Sequence, residues 1–147
     1  MSHPYSPPAE HSRRGAVAVI LRDGRFLVIR RSSCVVAPGA YCFPGGAIEA
    51  GESEQAALVR EIREELAVTV EPLRRIWQSV TPWGVHLSWW LGRLADGQQP
   101  VPNPAEVDCF FWLSPAEMLA RPELLESNRH FLDAIARGEI EIDLSGR

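Results

Sequence analysis

A chain of 147 residues favours one domain, long enough to bury most of the surface that its unfolded form exposes. An apolar fraction of 46% and a charged fraction of 23% are ordinary for a globular protein, and a formal net charge of −4 argues against long-range attraction to a nucleic acid polymer or an anionic membrane. Cys34, Cys42 and Cys109 form no CxxC pair, so neither a disulfide framework nor a cysteine zinc site is the default, and a reducing, cytoplasmic setting is expected.

The opening "MSHPYSPPAEHSRR" is rich in proline, serine and charge and lacks the apolar centre of a signal peptide. It reads as a flexible tail over residues 1–14, ahead of a domain over 15–147. No segment approaches the roughly 18–20 apolar residues needed to cross a bilayer. "GAVAVILRDGRFLVIRRS" predicts two strands joined at Asp23-Gly24, a strong hairpin signal. "SCVVAPGAY" reads as a loop, and "YCFPGGAIE" as a short segment after it.

Ser53 has the character of a helix N-cap, with Glu54 in the first turn. From about Glu54 to Ala67, Leu58, Val59, Ile62 and Leu66 fall on one helix face, and Glu61, Glu64 and Glu65 on another. "VTVEPLRRIWQSV" and "GVHLSWWLGRL" read as strands around a turn at Thr81-Pro82-Trp83-Gly84. Trp89 and Trp90 are adjacent in a strand and must point to opposite faces, while Trp77 and Trp112 read as core aromatics. "ADGQQPVPNPAE" is a proline-rich loop and "VDCFFWL" a buried strand. Ser114-Pro115-Ala116-Glu117 matches a helix start, and a further helix from about Glu126 to Arg137 is closed by Gly138. Strands, a helix, more strands and then helices make a single mixed α/β sandwich.

The glutamate helix carries the chemistry. Like charges three or four residues apart on a helix repel by roughly 0.2–0.5 kcal/mol per pair. Arg60 compensates Glu64 four residues on, whereas the Glu61/Glu65 pair has no such partner. A divalent cation is the obvious neutraliser. The carboxylates at i, i+3 and i+4 are hard oxygen ligands, suited to Mg²⁺ or Mn²⁺ rather than zinc. Glu52 adds a carboxylate at the helix entry, and Gly45-Gly46 lets backbone approach a ligand closely. The charge pattern alone reads first as a solvated acidic face on an ordinary amphipathic helix. His3, His11, His86 and His130 show no ligand spacing, and no Ser–His or Cys–His pair is evident. Water is therefore a better nucleophile here than a side chain.

The spacing adds a further argument. Gly46, Glu52, Arg60-Glu61-Ile62, Glu64-Glu65 and Val68 resemble the signature of the Nudix hydrolase family at every fixed position but one, the closing glycine, which is Ala67 here. An alanine there is tolerable if its backbone keeps a negative φ, and the departure bears on the local turn rather than on the metal site. The resemblance implies an α/β/α sandwich with a mixed central sheet. It also implies a metal-dependent hydrolase that cleaves the pyrophosphate linkage of a nucleoside diphosphate joined to a further group. By that resemblance Glu61, Glu64 and Glu65 are metal-binding carboxylates, joined by the main-chain carbonyl of Gly45. Arg60 orients the glutamates, Gly46 and Glu52 support the motif, and Glu106, ahead of "VDCFFWL", is the candidate base or extra metal ligand.

The partner implied is a small nucleotide derivative, with no nucleic acid polymer and no membrane. A homodimer is compatible, since dimers are common in the family. Triphosphates, ADP-ribose or nucleotide sugars, dinucleoside polyphosphates and coenzyme A all remain open. Arg30 and Arg31 stand where an arginine could grip a phosphate, and Trp83 where a base could stack. The alternative is a non-catalytic sensor on the same fold, which would usually have lost a motif carboxylate. An isomerase on this fold would need a reactive cysteine, for which Cys42 is the nearest residue.

Overall fold

Asp23 and Gly24 both take positive φ, 53° and 75°. Their turn folds β1 (Arg14–Arg22) back on β2 (Arg25–Arg31), with Arg22 opposite Arg25. Consecutive left-handed residues match the twist of the flanking strands, and this is why Asp-Gly predicted the hairpin. The computed structural model describes residues 13–145. The tail expected over 1–14 lies outside them except for Arg13 and Arg14, and Arg14 already opens β1.

β1 is the organising strand. It pairs antiparallel with β2 and with β4 (Gly45–Ala47), and parallel with β6 (His86–Leu94). β6 pairs antiparallel with β5 (Val70–Val80). β2 also pairs with β3 (Tyr41–Cys42) and β7 (Val107–Leu113). The sheet is mixed, as expected.

Both faces are covered, so the strands alternate between two cores rather than between core and water. Ala16, Ala18, Ile20, Leu27 and Ile29 pack against Ala57, Leu58, Ile62 and Leu66 of α1 (Glu54–Leu66). Val19, Phe26 and Val28 pack on the other side, against Met118 of α2 (Pro115–Leu119) and Phe131 and Leu132 of α3 (Glu126–Ala136). Trp89 is fully buried there and stacks on Phe131, with ring centroids 4.7 Å apart. Its neighbour Trp90 faces the opposite core and donates its indole N–H to Glu54 Oε1 at 2.8 Å.

The helix starts follow their side chains. Ser53 Oγ accepts the Ala56 N–H at 3.0 Å, and Ser114 and Glu117 form a reciprocal capping box. Gly138, at φ 74°, lies just beyond the end of α3.

Four expectations need correction. Ala67 does not keep a negative φ: it takes the left-handed conformation, φ 56° and ψ 29°, and its N–H closes α1 on Arg63 O. Glu65 does not share an exposed acidic face with Glu64, because it is buried beside Leu66. Trp77 and Trp112 are only half-buried; Trp77 flanks Trp89, and Trp112 lies under the Arg22 guanidinium. β7 pairs with β2 alone among the described strands, and its central residues are half-buried for that reason. No helix among the described residues is long and apolar enough to cross a membrane.

Candidate active site

Gly45 and Gly46 form the short strand β4 between β1 and the glutamate helix, and both approaches exclude a side chain. A Cβ on Gly45 would meet the Ala16 carbonyl, and one on Gly46 would enter the Glu61 carboxylate. Gly45, at φ 154°, donates its N–H to Glu65 Oε1 at 3.0 Å. The contact joins the glycine pair to the buried end of α1.

Arg60 is the hub of the exposed half of the motif. Its Nε and Nη2 grip Glu52 in a two-point fork at 2.7 and 2.9 Å. Nη2 also donates to Ala47 O at 2.9 Å, and Nη1 to Glu61 at 2.9 Å and Glu64 at 3.3 Å. Glu52 Oε1 in turn accepts the Glu49 N–H, which fixes the loop ahead of the helix. These bonds hold Glu52 well below the usual carboxylate range, at about 2, the Arg60 hydrogen bond being the largest cause.

The buried half behaves oppositely. Burial pushes the Glu65 carboxyl up to about 8, against the Gly45 hydrogen bond, and the charges of Glu61 and Glu106 push the same way. Burial likewise raises Glu61, again with help from Glu106. Glu106 arrives from the loop before β7, and its Oε2 is buried with no hydrogen-bond partner. Three carboxylates from two separate segments thus act on one another, Glu106 being the one that the resemblance had named from outside the helix.

This donor set fits a hard divalent cation. Carboxylate oxygens are the matching ligands, and Glu106 Oε2 is a buried acceptor still to be satisfied. As placed, no three acidic, imidazole or thiol side chains among the described residues stand close enough to enclose an ion. Glu61 and Glu64 turn instead to Arg60, and Glu65 to Gly45.

A cleft of about 510 Å³ opens beside Gly45 and Gly46. Apolar Phe43, Ile48 and Leu87 line it together with Arg13, Arg31 and Asn128. Arg31 bonds the Val36 carbonyl at 2.6 Å and acts electrostatically on Glu65 and Cys42. Arg30 is not among the lining residues; it pairs with Asp108 at 3.9 Å. Trp83 is 66% exposed in the β5–β6 turn, where its carbonyl accepts from Arg13 and Val85 beyond it reaches the cleft. Cys42 is buried against Arg31, with its thiol pushed up to about 11 by burial, so it is no ready nucleophile.

Sequence reading missed Arg13, Arg14 and Asn128. The arginines had been assigned to the tail. Asn128 had a usable signal, a polar residue three and four positions before the apolar Phe131 and Leu132 on one helix face. It is 4% exposed and accepts the Phe43 N–H at 2.9 Å.

Known proteins resemble this chain in family and in fold. The NUDIX domain family matches residues 11–135. A CTP pyrophosphohydrolase of Escherichia coli is 33% identical over 108 residues, covering 71% of this chain and 78% of its own. An NAD-capped RNA hydrolase of Stutzerimonas stutzeri is 30% identical over 80% of this chain, which spans only 42% of that longer protein. The crystal structure of a MutT protein from Methanosarcina mazei superposes with a TM-score of 0.73 at 22% identity, over 86% of this chain and 94% of its own. With the motif, the sheet order and these matches in agreement, the chain belongs to the NUDIX family of hydrolases.

Proposed function

We propose that this chain hydrolyses the pyrophosphate linkage of a nucleoside diphosphate joined to a further group, with a nucleoside triphosphate as the first substrate class to test. The observation that carries the reading is the placing of Glu61 and Glu65 against the Gly46 and Gly45 backbone that lines the cleft, with the Glu106 charge acting on both. The likeness to a CTP pyrophosphohydrolase over most of that protein's length favours the triphosphate class.

Glu61, Glu64 and Glu65, with the Gly45 backbone and Glu106 close by, would hold Mg²⁺ or Mn²⁺. Such a cation would screen the phosphate charge and acidify a bound water. Glu106, whose Oε2 is buried without a hydrogen-bond partner, would join that cation as an extra ligand through one oxygen and take a proton from the attacking water with the other. Arg60 holds Glu61 and Glu64 in place through its fork on Glu52. Arg31, facing the cleft, meets a phosphate, and the apolar walls take the nucleoside.

A hydrolysis screen with Mg²⁺ or Mn²⁺ and product identification by mass tests this. The panel holds nucleoside triphosphates, ADP-ribose, nucleotide sugars, dinucleoside polyphosphates, NADH and coenzyme A, with Glu65→Gln as control. Turnover that disappears in the control supports the reading. Ligand binding without turnover by the native protein would replace it with a nucleotide sensor.

A further inference from the structure

The last turn of an α-helix leaves carbonyls without intrahelical partners. In α1 three of these belong to Glu64, Glu65 and Leu66, and one loop takes all three. Val101 N–H donates to Leu66 O at 2.8 Å, Asn103 N–H to Glu65 O at 2.9 Å, and Asn103 Nδ2 to Glu64 O at 3.2 Å. Asn103 therefore holds the backbone of both terminal motif glutamates at once.

The same residue also sets the turn that delivers Glu106. Its Oδ1 accepts the Ala105 N–H at 3.2 Å, and its carbonyl accepts the N–H of Glu106 at 2.9 Å and of Val107 at 2.8 Å. Pro102 and Pro104 flank it, which narrows the conformations open to residues 101–104. From the far side Ser32, 1% exposed, donates its N–H to Glu106 O at 3.0 Å and its hydroxyl to Ala105 O at 3.1 Å.

We infer that Asn103 is the positioning residue that registers Glu106 against the glutamates of α1, by bonding the helix end and the Glu106 turn from the side chain and backbone of one residue. Nothing else among these contacts bridges the two segments so directly. A surface loop that only crossed the helix end would satisfy its carbonyls without also building the next turn. The inference rests on the proposed role of Glu106 in the reaction site, and cation binding tests it without a substrate.

The experiment measures Mn²⁺ binding by electron paramagnetic resonance for the native chain, Asn103→Ala, Glu106→Gln, their double variant and Glu65→Gln. Loss of a group that orients metal ligands typically weakens binding by roughly tenfold or more. Asn103→Ala is expected to weaken Mn²⁺ by that factor in the native background and by almost nothing in the Glu106→Gln background. If Asn103→Ala fails to fold by circular dichroism, Asn103→Ser takes its place, since it keeps a short acceptor for the Ala105 N–H.

Equal weakening in both backgrounds would show that Asn103 acts on the helix alone and overturn the inference. Native-like binding by the Asn103 variant would do the same. If Glu106→Gln binds like the native chain while Glu65→Gln does not, Glu106 leaves the site and the inference falls, but the hydrolase reading survives. A native chain that binds no Mn²⁺ sinks both.

Discussion

Glu65 and Gly45 hold each other across the join between helix and sheet: the Gly45 N–H meets Glu65 Oε1 at 3.0 Å, and the carboxylate is only 5% exposed. One backbone donor does not offset the burial of a carboxylate beside Glu61 and Glu106. The site is thus destabilised electrostatically when its acids ionise, and a cation held there would relieve that repulsion.

A pH dependence follows in the metal-free protein. Glu65 titrates near 8 when folded, above the ordinary value of 4.5. Its contribution to stability is complete below 4.5 and is lost as pH rises through about 8. Urea unfolding in EDTA should show stability falling over that window by several kcal/mol. In Glu65→Gln the slope should flatten, and saturating Mn²⁺ should stabilise the native chain more at pH 8 than at pH 6. A native curve that rises with pH across the window would contradict the assignment.

Ala67 sits in the left-handed region without a neighbour that requires its methyl group. Glycine removes the steric cost, although it also loosens the unfolded chain. Ala67→Gly should therefore stabilise the protein by about 0.5–1 kcal/mol, or a rise in Tm of about 2–3 °C. Calorimetry at one pH decides it, and an unchanged or lower Tm counts against the strain.

Arg60 bonds three carboxylates and one carbonyl with a planar fork that lysine cannot copy. Arg60→Lys should lose hydrolysis by roughly 10–100-fold while remaining folded. Arg60→Ala should also be destabilised by about 2 kcal/mol in EDTA, with Mn²⁺ restoring part of the loss. Wild-type activity in Arg60→Lys would reduce the arginine to a surface ion pair.

Gly46 is fixed by the close approach of Glu61 rather than by its dihedral angle. Gly46→Ala should fold, because the carboxylate is the movable partner, but with Glu61 displaced. Activity should fall by about 100-fold, the cost of small misplacements in a reaction site. Circular dichroism and steady-state rates on the same sample separate this outcome from simple unfolding.

Much of the fold was legible because its signals are local. Asp23-Gly24, Ser53, Ser114 through Glu117 and Gly138 each act within a few residues, and each turn or cap formed where its residue type calls for it. The burial of Glu65 was not legible. Helical periodicity puts it near the boundary between faces, and only the Gly45 strand packed above it decides that the carboxylate is covered. Ala67 was misjudged for a related reason. The chain must turn at once from α1 into β5, and that path demands a positive φ whatever residue stands there.

The sequence by itself determined the family, the mixed sandwich and the set of glutamates on α1, because a motif and its helical spacing are properties of one continuous segment. Only the tertiary structure decided that Glu106 joins Glu61 and Glu65, that Arg31 rather than Arg30 lines the cleft, and that Asn103 ties the helix end to the Glu106 turn. Those relationships depend on how β2, β4 and the loop before β7 meet around the helix. Residues some forty positions apart become neighbours there through packing, which no local pattern encodes.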